Sequence, residues 1–157
     1  GVKTIDIITA QQMHDEIINR VQDFDYIIMS AAVGDYRCQN IAQEKIKKHE
    51  DTLTLQLQKN QDILLEMGQH KKPHQIICGF AMETQDLIEN AKEKLQKKNC
   101  DMIVANHLKT KGAGFQGDTN VVSILTRESI HHYDLMSKND LAFEILNQMK
   151  KREEQKC

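Results

Sequence analysis

Two short runs of almost continuous apolar residues constrain the fold of this chain most strongly. They cover Tyr26–Ala31 and Gln75–Phe80. Side chains of a strand alternate between its two faces, so a continuously apolar strand is typical of a sheet that is buried on both sides. The two runs therefore predict parallel strands in a sheet that is covered by helices on both faces.

Strand and helix patterns alternate along the rest of the chain. Further strands are predicted at Lys3–Ile8, Leu53–Gln58, Met102–Asn106, Val121–Thr126 and Ile130–Tyr133. Helices are predicted at Ala10–Asp23, Asp62–Gly68, Asp86–Lys98 and Asp140–Glu154. We therefore predict an α/β fold over residues 1–157: a three-layer, Rossmann-like, mostly parallel sheet with helices on both faces and a C-terminal hairpin.

Local signals support the starts of two helices. Thr9 with Gln12 has the spacing of a capping box, and Ser137 with Asp140 repeats it before the last helix. The strand Leu53–Gln58 alternates leucines with polar residues, so we expect one of its faces to be exposed at an edge or interface.

Composition excludes several classes of function. The formal net charge of −2 argues against a general nucleic-acid binder, which would be basic. No apolar run approaches a membrane span and no signal peptide is visible, so no membrane partner is expected. The cysteines Cys38, Cys78, Cys100 and Cys157 form no C-x-x-C pair, and we interpret them as apolar filler in a reducing cytoplasm. The histidines lack the spacing of metal ligands, so no structural zinc is predicted.

The end of the first apolar strand carries residues that could bind a ligand. The strand runs into Ala31 and Ala32, then into Asp35, and the lysine-rich stretch Lys45–Lys48 follows. Small side chains allow a ligand to approach the backbone closely, and long mobile lysines suit a polyphosphate or another anion. We interpret this segment as one wall of a nucleotide-type site.

Two lysines lie on the buried side of the helix predicted at Asp86–Lys98. Lys94 and Lys98 follow the same helical period as Leu87 and Ala91. In one interpretation their stems cover apolar surface while the ammonium groups reach solvent. In the other they form an anion site at the rim of the sheet, and the sequence alone leaves both open.

Two further strand ends are ambiguous in the same way. Phe80 is either a core residue or a surface for stacking a base. In the turn Lys59–Leu64, Asn60 or Asp62 could cap the following helix, and the exposed backbone groups of the turn could read the edge of a base.

A fourth strand ends at Asn106, before the glycine-rich stretch Gly112–Asn120. That stretch is not G-x-G-x-x-G and precedes a strand rather than a helix, so it is predicted as a loop and does not support a dinucleotide fingerprint. Ligands of open α/β sheets bind at the carboxyl ends of strands. These strand ends together therefore predict one shared site.

The ordered motifs of the chain resemble those of the phosphopantothenate–cysteine ligase family. They are Ala31–Arg37, Lys45–Lys48, Lys59–Leu64, Gly79–Thr84, Lys94–Asp101, Ile103–Asn106 and Gly114–Asn120. The resemblance runs nearly from end to end, in order and with similar spacing. In many bacteria this family forms the C-terminal half of a bifunctional flavoprotein of coenzyme A biosynthesis.

The resemblance implies a two-step synthetase. The carboxylate of 4′-phosphopantothenate attacks the α-phosphate of CTP and releases pyrophosphate; the amine of L-cysteine then attacks the acyl-cytidylate and releases CMP. Such chemistry needs Mg²⁺ and cations on the triphosphate. The resemblance also implies a homodimer, for which the strand Leu53–Gln58 is the candidate interface, and FMN only if a decarboxylase domain is fused upstream.

The resemblance assigns roles to individual residues. Lys45 would be the mobile catalytic cation beside the acyl-cytidylate, and Asp35 would contact the nucleotide, directly or through its Mg²⁺. Lys94 and Lys98 would hold the triphosphate. The other expected contacts are Ala31 and Ala32 on the pocket floor, Phe80 on its wall, Gln61, Asp62, Ile63 and Leu64 in a cytosine-reading turn, and Asn106 as an additional pocket residue.

The chain departs from the family's pattern in places. Gly34 replaces the commoner alanine, and Gln61 replaces the usual proline, which leaves the backbone of that turn available. The family's N-terminal segment, with a glycine-rich nucleotide-binding turn and an Asn-x-x-Ser-Gly element, would lie before Gly1. We therefore expect a fragment of the ligase domain that binds weakly or is inactive by itself.

Three alternatives accompany the CTP-dependent ligase. The first is a catalytically incomplete nucleotide-binding or dimerisation fragment of that enzyme. The second is a variant that uses ATP. The third is a Rossmann-like oxidoreductase, which predicts NAD(P) binding and a G-x-G-x-x-G motif that the chain lacks.

Overall fold

A computed structural model describes residues 1–47, 52–83, 85–107 and 117–156. A five-stranded sheet forms its centre. The strands are β1 (Tyr26–Met29), β2 (Tyr36–Cys38), β3 (Leu57–Lys59), β4 (Ile76–Glu83), β5 (Met102–His107), β6 (Thr119–Leu125) and β7 (Ile130–Ser137). The helices are α1 (Ala10–Ile18), α2 (Ile63–His70), α3 (Leu87–Lys97) and α4 (Lys138–Glu154).

The large sheet has the order β1-β4-β5-β6-β7. β1 pairs parallel with β4 and β4 with β5, whereas β5–β6 and β6–β7 are antiparallel. Within this sheet, all strands except β6 therefore run in one direction. This confirms the predicted mostly parallel sheet with a C-terminal hairpin. β2 and β3 form a separate antiparallel pair, which we call the arm.

Helices cover both faces of the sheet, as predicted. On one face, Met67 of α2 and Leu95 of α3 pack with Ile77 and Ile103 of the sheet in a buried cluster, against which Ile17 of α1 also packs. On the other face, α4 packs its buried stripe against the sheet; that stripe consists of Leu141, Ile145 and Met149. The apolar runs of the sequence are thus buried from both sides.

The two predicted helix starts are confirmed by their hydrogen bonds. Thr9 Oγ1 accepts from the Gln12 backbone N–H at 3.1 Å, and Gln12 Oε1 accepts from the Thr9 N–H at 3.0 Å, which completes the capping box. Ser137 Oγ accepts from the Asp140 N–H at 3.0 Å. Each bond satisfies a backbone donor that has no partner inside its helix.

Several predicted boundaries are wrong. Lys3–Ile8 forms no strand; its alternation arises because Ile5 and Ile7 face an apolar groove beside α1 and β1 rather than because a ladder forms. Helix α1 ends at Ile18, and a short 3-10 turn follows at Val21–Asp23. Of the predicted strand Leu53–Gln58, only its last two residues lie in β3.

The strand β2 was not predicted at all, because its pairing with β3 is not visible in either segment alone.

Within the described ranges, no helix has the length and apolar character needed to cross a bilayer.

Candidate functional site

A cavity of about 210 Å³ lies beside the end of β1, between the segment that leads into α2 and the inner side of α3. Of the predicted site residues, nine line it: Ala31, Asp35, Gln61, Asp62, Ile63, Leu64, Phe80, Lys94 and Lys98. They come from separate stretches of the chain, and the sheet brings them together at one place. This cavity is the candidate nucleotide site.

Three predicted residues are not among those that line the cavity. Ala32 is an exposed neighbour of Ala31, and Lys45 is exposed in the segment between β2 and β3. Asn106 lies in β5, where its Oδ1 accepts from Asn120 Nδ2 at 3.3 Å. Their roles stay predictions. Lys48, Thr84, residues 108–116, which include the first half of the glycine-rich stretch, and Cys157 lie outside the described residues.

Asp62, rather than Asn60, caps α2. Its Oδ1 accepts from the Leu65 backbone N–H at 3.0 Å, and its backbone is extended. The helix sits close to the sheet because β4 has a glycine beneath it: a Cβ on Gly79 would lie only 2.8 Å from Leu64 Cδ2 and 2.9 Å from Ile103 Cδ1. Gly79 therefore lets the start of α2 reach the wall of the cavity.

Lys94 of α3 and Lys98, the residue that follows the helix, both turn toward the cavity. Lys94 Nζ donates to the carbonyl of Phe80 at 2.7 Å. Lys98 Nζ forms an ion pair with Asp62, and its side chain is only 14% exposed. In this structure the ammonium groups therefore lie against cavity residues and do not extend into solvent.

The charges of the cavity favour an anion. Lys59, Lys94 and Lys98 line it together with the carboxylates Asp35 and Asp62. Burial by itself raises the pKa of Asp62, but the hydrogen bonds from Lys98 and the Leu65 N–H outweigh burial and leave this pKa below its ordinary value. Asp62 is thus ionised at neutral pH, and the cations exceed the carboxylates by one.

Phe80 is a core residue that also lines the cavity. Its side chain packs against the buried cluster under α4. Its backbone carbonyl accepts from Lys94, and the residue lines the cavity. The sequence offered a core residue and a base-stacking surface as alternatives; the structure shows the core packing, and base stacking by Phe80 stays a prediction.

Sequence reasoning missed several lining residues. Met29, Val33, Gly34, Lys59 and Asn60 also line the cavity. Lys59 and Asn60 belong to the same turn motif as the predicted Gln61, so their spacing was the available signal. Met29 had none, because an apolar residue at the end of a buried strand is ordinary.

The described cysteines and histidines take no visible part in the cavity. Burial raises the pKa of both the Cys78 thiol and the Cys100 thiol, the latter to about 12. His107 Nε2 and His132 Nδ1 lie 2.8 and 2.7 Å from Ser123 Oγ, in a row across β5, β6 and β7. In the part of the chain that the structure describes, no group of His, Cys, Asp and Glu could hold a metal ion by itself.

Comparison with known proteins gives consistent matches. The family model for the DNA/pantothenate metabolism flavoprotein C-terminal domain matches residues 1–152. The coenzyme A biosynthesis bifunctional protein CoaBC of Bacillus subtilis (strain 168) is 42% identical over 147 residues, which cover 92% of this chain. The chain spans only 36% of the length of that relative.

Solved structures share the fold. The crystal structure of the C-terminal domain of a coenzyme A biosynthesis bifunctional protein CoaBC has a TM-score of 0.78 and 35% identity, covering 98% of this chain and 69% of that chain. A mutant of Cab2 in complex with phosphopantothenate-cysteine has a TM-score of 0.69 and 16% identity, covering 94% of this chain and 53% of that chain. These matches confirm the predicted Rossmann-like fold.

Proposed function

The chain belongs to the family of DNA/pantothenate metabolism flavoprotein C-terminal domains, and from this premise we propose that it acts in coenzyme A biosynthesis as a phosphopantothenate–cysteine ligase. The proposed reaction joins L-cysteine to 4′-phosphopantothenate through an acyl-cytidylate, with CTP as the co-substrate. The observation that carries the proposal is the single cavity in which nine residues of the family's motifs meet.

The geometry supports separate roles for different residues of the cavity. The turn Gln61–Leu64 presents backbone groups to the cytosine base. Lys94 and Lys98 bind the triphosphate, for which Lys98 exchanges its carboxylate partner Asp62 for a phosphate. Lys45 reaches in from its exposed segment and stabilises the charge that develops around the acyl-cytidylate.

Mg²⁺ fits the residues of this cavity. Mg²⁺ prefers oxygen ligands and is commonly held by one or two carboxylates together with substrate phosphates. Asp35 offers such a carboxylate on the same wall. When bound with CTP, the metal would neutralise phosphate charge.

Nucleotide titration tests the proposal directly. In the full-length protein we expect CTP with Mg²⁺ to bind more tightly than ATP, pyrophosphate to appear only when 4′-phosphopantothenate is added, and the amide product to form on addition of L-cysteine. CTP binding without pyrophosphate release by this chain alone would favour the incomplete-fragment alternative. Preference for ATP would favour the ATP-using variant, and NAD(P) binding without CTP binding would overturn the ligase.

The arm and residues 53–56, which precede β3, form the proposed interface of a homodimer. Leu53, Leu55 and Leu57 are 66%, 59% and 58% exposed, and Tyr36 of β2 is 61% exposed. Exposed large apolar side chains that recur along one segment are typical of protein interfaces. We expect sedimentation to report a dimer that Leu55→Asp dissociates. The matched change Phe143→Asp, at a residue 69% exposed on α4, should leave the dimer intact.

The wider setting of the domain is also a proposal. Because the Bacillus subtilis relative is named a bifunctional protein, we propose that a decarboxylase domain with FMN accompanies this chain in a cytoplasmic enzyme. Purification of the native protein tests this, since a fused flavin domain would give a longer polypeptide with visible flavin absorbance.

A further inference from the structure

Asn60 lies where two walls of the cavity meet. Arg37 Nη1 donates to Asn60 Oδ1 at 2.7 Å. Asn60 Nδ2 donates to the carbonyl of Gly34 at 2.7 Å. The backbone N–H of Asn60 donates to the carbonyl of Asp35, also at 2.7 Å. One residue therefore ties the loop after β1 to the turn before α2.

Arg37 is itself held by the neighbouring strand. With its side-chain oxygen turned toward Arg37, Gln58 accepts from Nη2 at 3.1 Å and from Nε at 2.9 Å. The β2–β3 ladder contains only three residue pairs, from Tyr36↔Lys59 to Cys38↔Leu57. An isolated pair of such short strands is marginally stable, so these side-chain bonds reinforce the arm at the end nearest the cavity.

We propose that Asn60 is a positioning residue for nucleotide recognition, a role that rests on the proposed function. Through Arg37 and Gly34 it holds the wall that carries Asp35 at a set distance from the base-reading turn. Both ends of its carboxamide are engaged by protein groups, so Asn60 acts on the nucleotide through its neighbours. Backbone recognition of a base requires placement to within about 0.5 Å, which a loose arm does not provide.

Binding of CTP and UTP to four variants tests this role, because the two nucleotides differ only at the base edge. Asn60→Ala and Arg37→Ala should each weaken CTP binding about tenfold, because each removes hydrogen bonds that join Asn60 to Arg37 and Gly34. The ratio of the UTP and CTP dissociation constants should fall toward one. The double variant should be no weaker than either single variant, because both changes break one unit. Asn90→Ala, which removes an exposed side-chain bond to the Gln85 carbonyl, is the matched control.

Other outcomes would overturn the role. Loss of CTP affinity in Asn60→Ala with full affinity in Arg37→Ala would make Asn60 a direct ligand contact. An equal loss for CTP and UTP, accompanied by a lower melting temperature, would make it merely structural.

Amide hydrogen exchange in the nucleotide-free protein separates this inference from the proposed function. Both single variants should raise exchange at least several-fold at the amide of residue 60, whose N–H donates to the Asp35 carbonyl, and Asn90→Ala should not. Unchanged exchange would overturn the positioning role of Asn60 even if wild-type protein binds CTP. If wild-type protein fails to bind CTP, the ligase proposal fails, whereas the exchange measurement still decides whether Asn60 holds the two walls together.

Discussion

Asp101 and Asp62 both pair with lysines, but Asp101 lies directly before β5 and Asp62 lies beside the cavity, and their surroundings differ. Asp101 precedes β5, is 4% exposed, and accepts from Lys71 at 2.9 Å, Lys156 at 2.8 Å and the Ile77 N–H at 2.9 Å. Asp62 pairs with Lys98 in the cavity, where its side chain is 39% exposed. The buried Asp101 therefore forms a structural clamp, whereas the more exposed Asp62–Lys98 pair is the one that the proposed nucleotide would exchange.

The largest expected effect breaks the buried side of this comparison. Asp101→Ala should lower the free energy of unfolding by about 3 kcal/mol, because it leaves Lys71, Lys156 and the Ile77 N–H without their shared acceptor. Urea denaturation measures the change. Asp134→Ala, at an exposed aspartate of β7, is the control and should have little effect; equal losses in both variants would contradict the clamp.

The clamp also predicts a dependence on acid. Burial by itself raises the pKa of Asp101, but the bonds from Ile77, Lys156 and Lys71 outweigh burial and leave it below the ordinary value of 3.8. A carboxylate with a lowered pKa in the folded state stabilises the protein above its unfolded-state pKa, and this stability is lost as pH falls through the folded-state pKa. Asp101→Ala should therefore reduce the loss of stability seen below about pH 4.

Lys45 tests whether the site extends beyond the cavity wall. In the full-length protein, Lys45→Gln should reduce turnover about a hundredfold while the CTP dissociation constant changes little, because in the proposed mechanism its charge acts mainly around the acyl-cytidylate. Comparing single-turnover rates with titrations separates the two effects. Lys150→Gln on α4 is the control, and unchanged turnover in Lys45→Gln would remove Lys45 from the mechanism.

Lys94 sharpens the cavity side of the comparison. Lys94→Ala should weaken CTP binding about tenfold, the order expected for a charge-assisted hydrogen bond to phosphate. The free energy of unfolding should change little in this variant, because Lys94 bonds to one carbonyl at the rim of the cavity. Lys97→Ala, on the exposed face of the same helix, should bind CTP normally. Equal affinities in the two variants would mean that Lys94 does not bind the triphosphate.

The smallest effect concerns His14, which links α1 to α2. Hydrogen bonds to Asp15 at 2.9 Å and Glu66 at 2.8 Å raise its pKa above 6.5, against the opposing effect of burial. The stability that it contributes is present below pH 6.5 and is lost as pH rises through the folded-state pKa. Between pH 6 and 9 we expect wild-type protein to lose on the order of 1 kcal/mol more stability than His14→Gln. Equal losses would contradict the prediction.

Much of the fold could be predicted because its signals are local. The apolar runs at β1 and β4, the periodicity of α3 and the two capping sequences each depend on neighbouring residues and on burial from both sides. The arm could not be predicted, because its short strands exist only through pairing with each other. Lys3–Ile8 alternates like a strand, yet alternation reports an apolar neighbour and not a hydrogen-bonded ladder.

The site was predicted unevenly for the same reason. Helical spacing placed Lys94 and Lys98 on the inner side of α3, and the structure bears out that placement. Asn60 and Asp62 looked equivalent, because either side chain offers an oxygen near the start of α2. In the structure, the side chain of Asp62 caps α2, and the side chain of Asn60 bonds to Arg37 instead.

The sequence by itself determined the order of the strands and helices along the chain, the faces they bury and the residue types available at each strand end. These properties follow from side-chain pattern and local hydrogen bonding. Only the tertiary structure decided which carboxylate meets which lysine, and that Asp62 with Lys98 faces a cavity while Asp101 with Lys71 and Lys156 is buried before β5. The physical reason is that the energy of an ion pair depends on its burial and remaining partners, and sheet topology sets both.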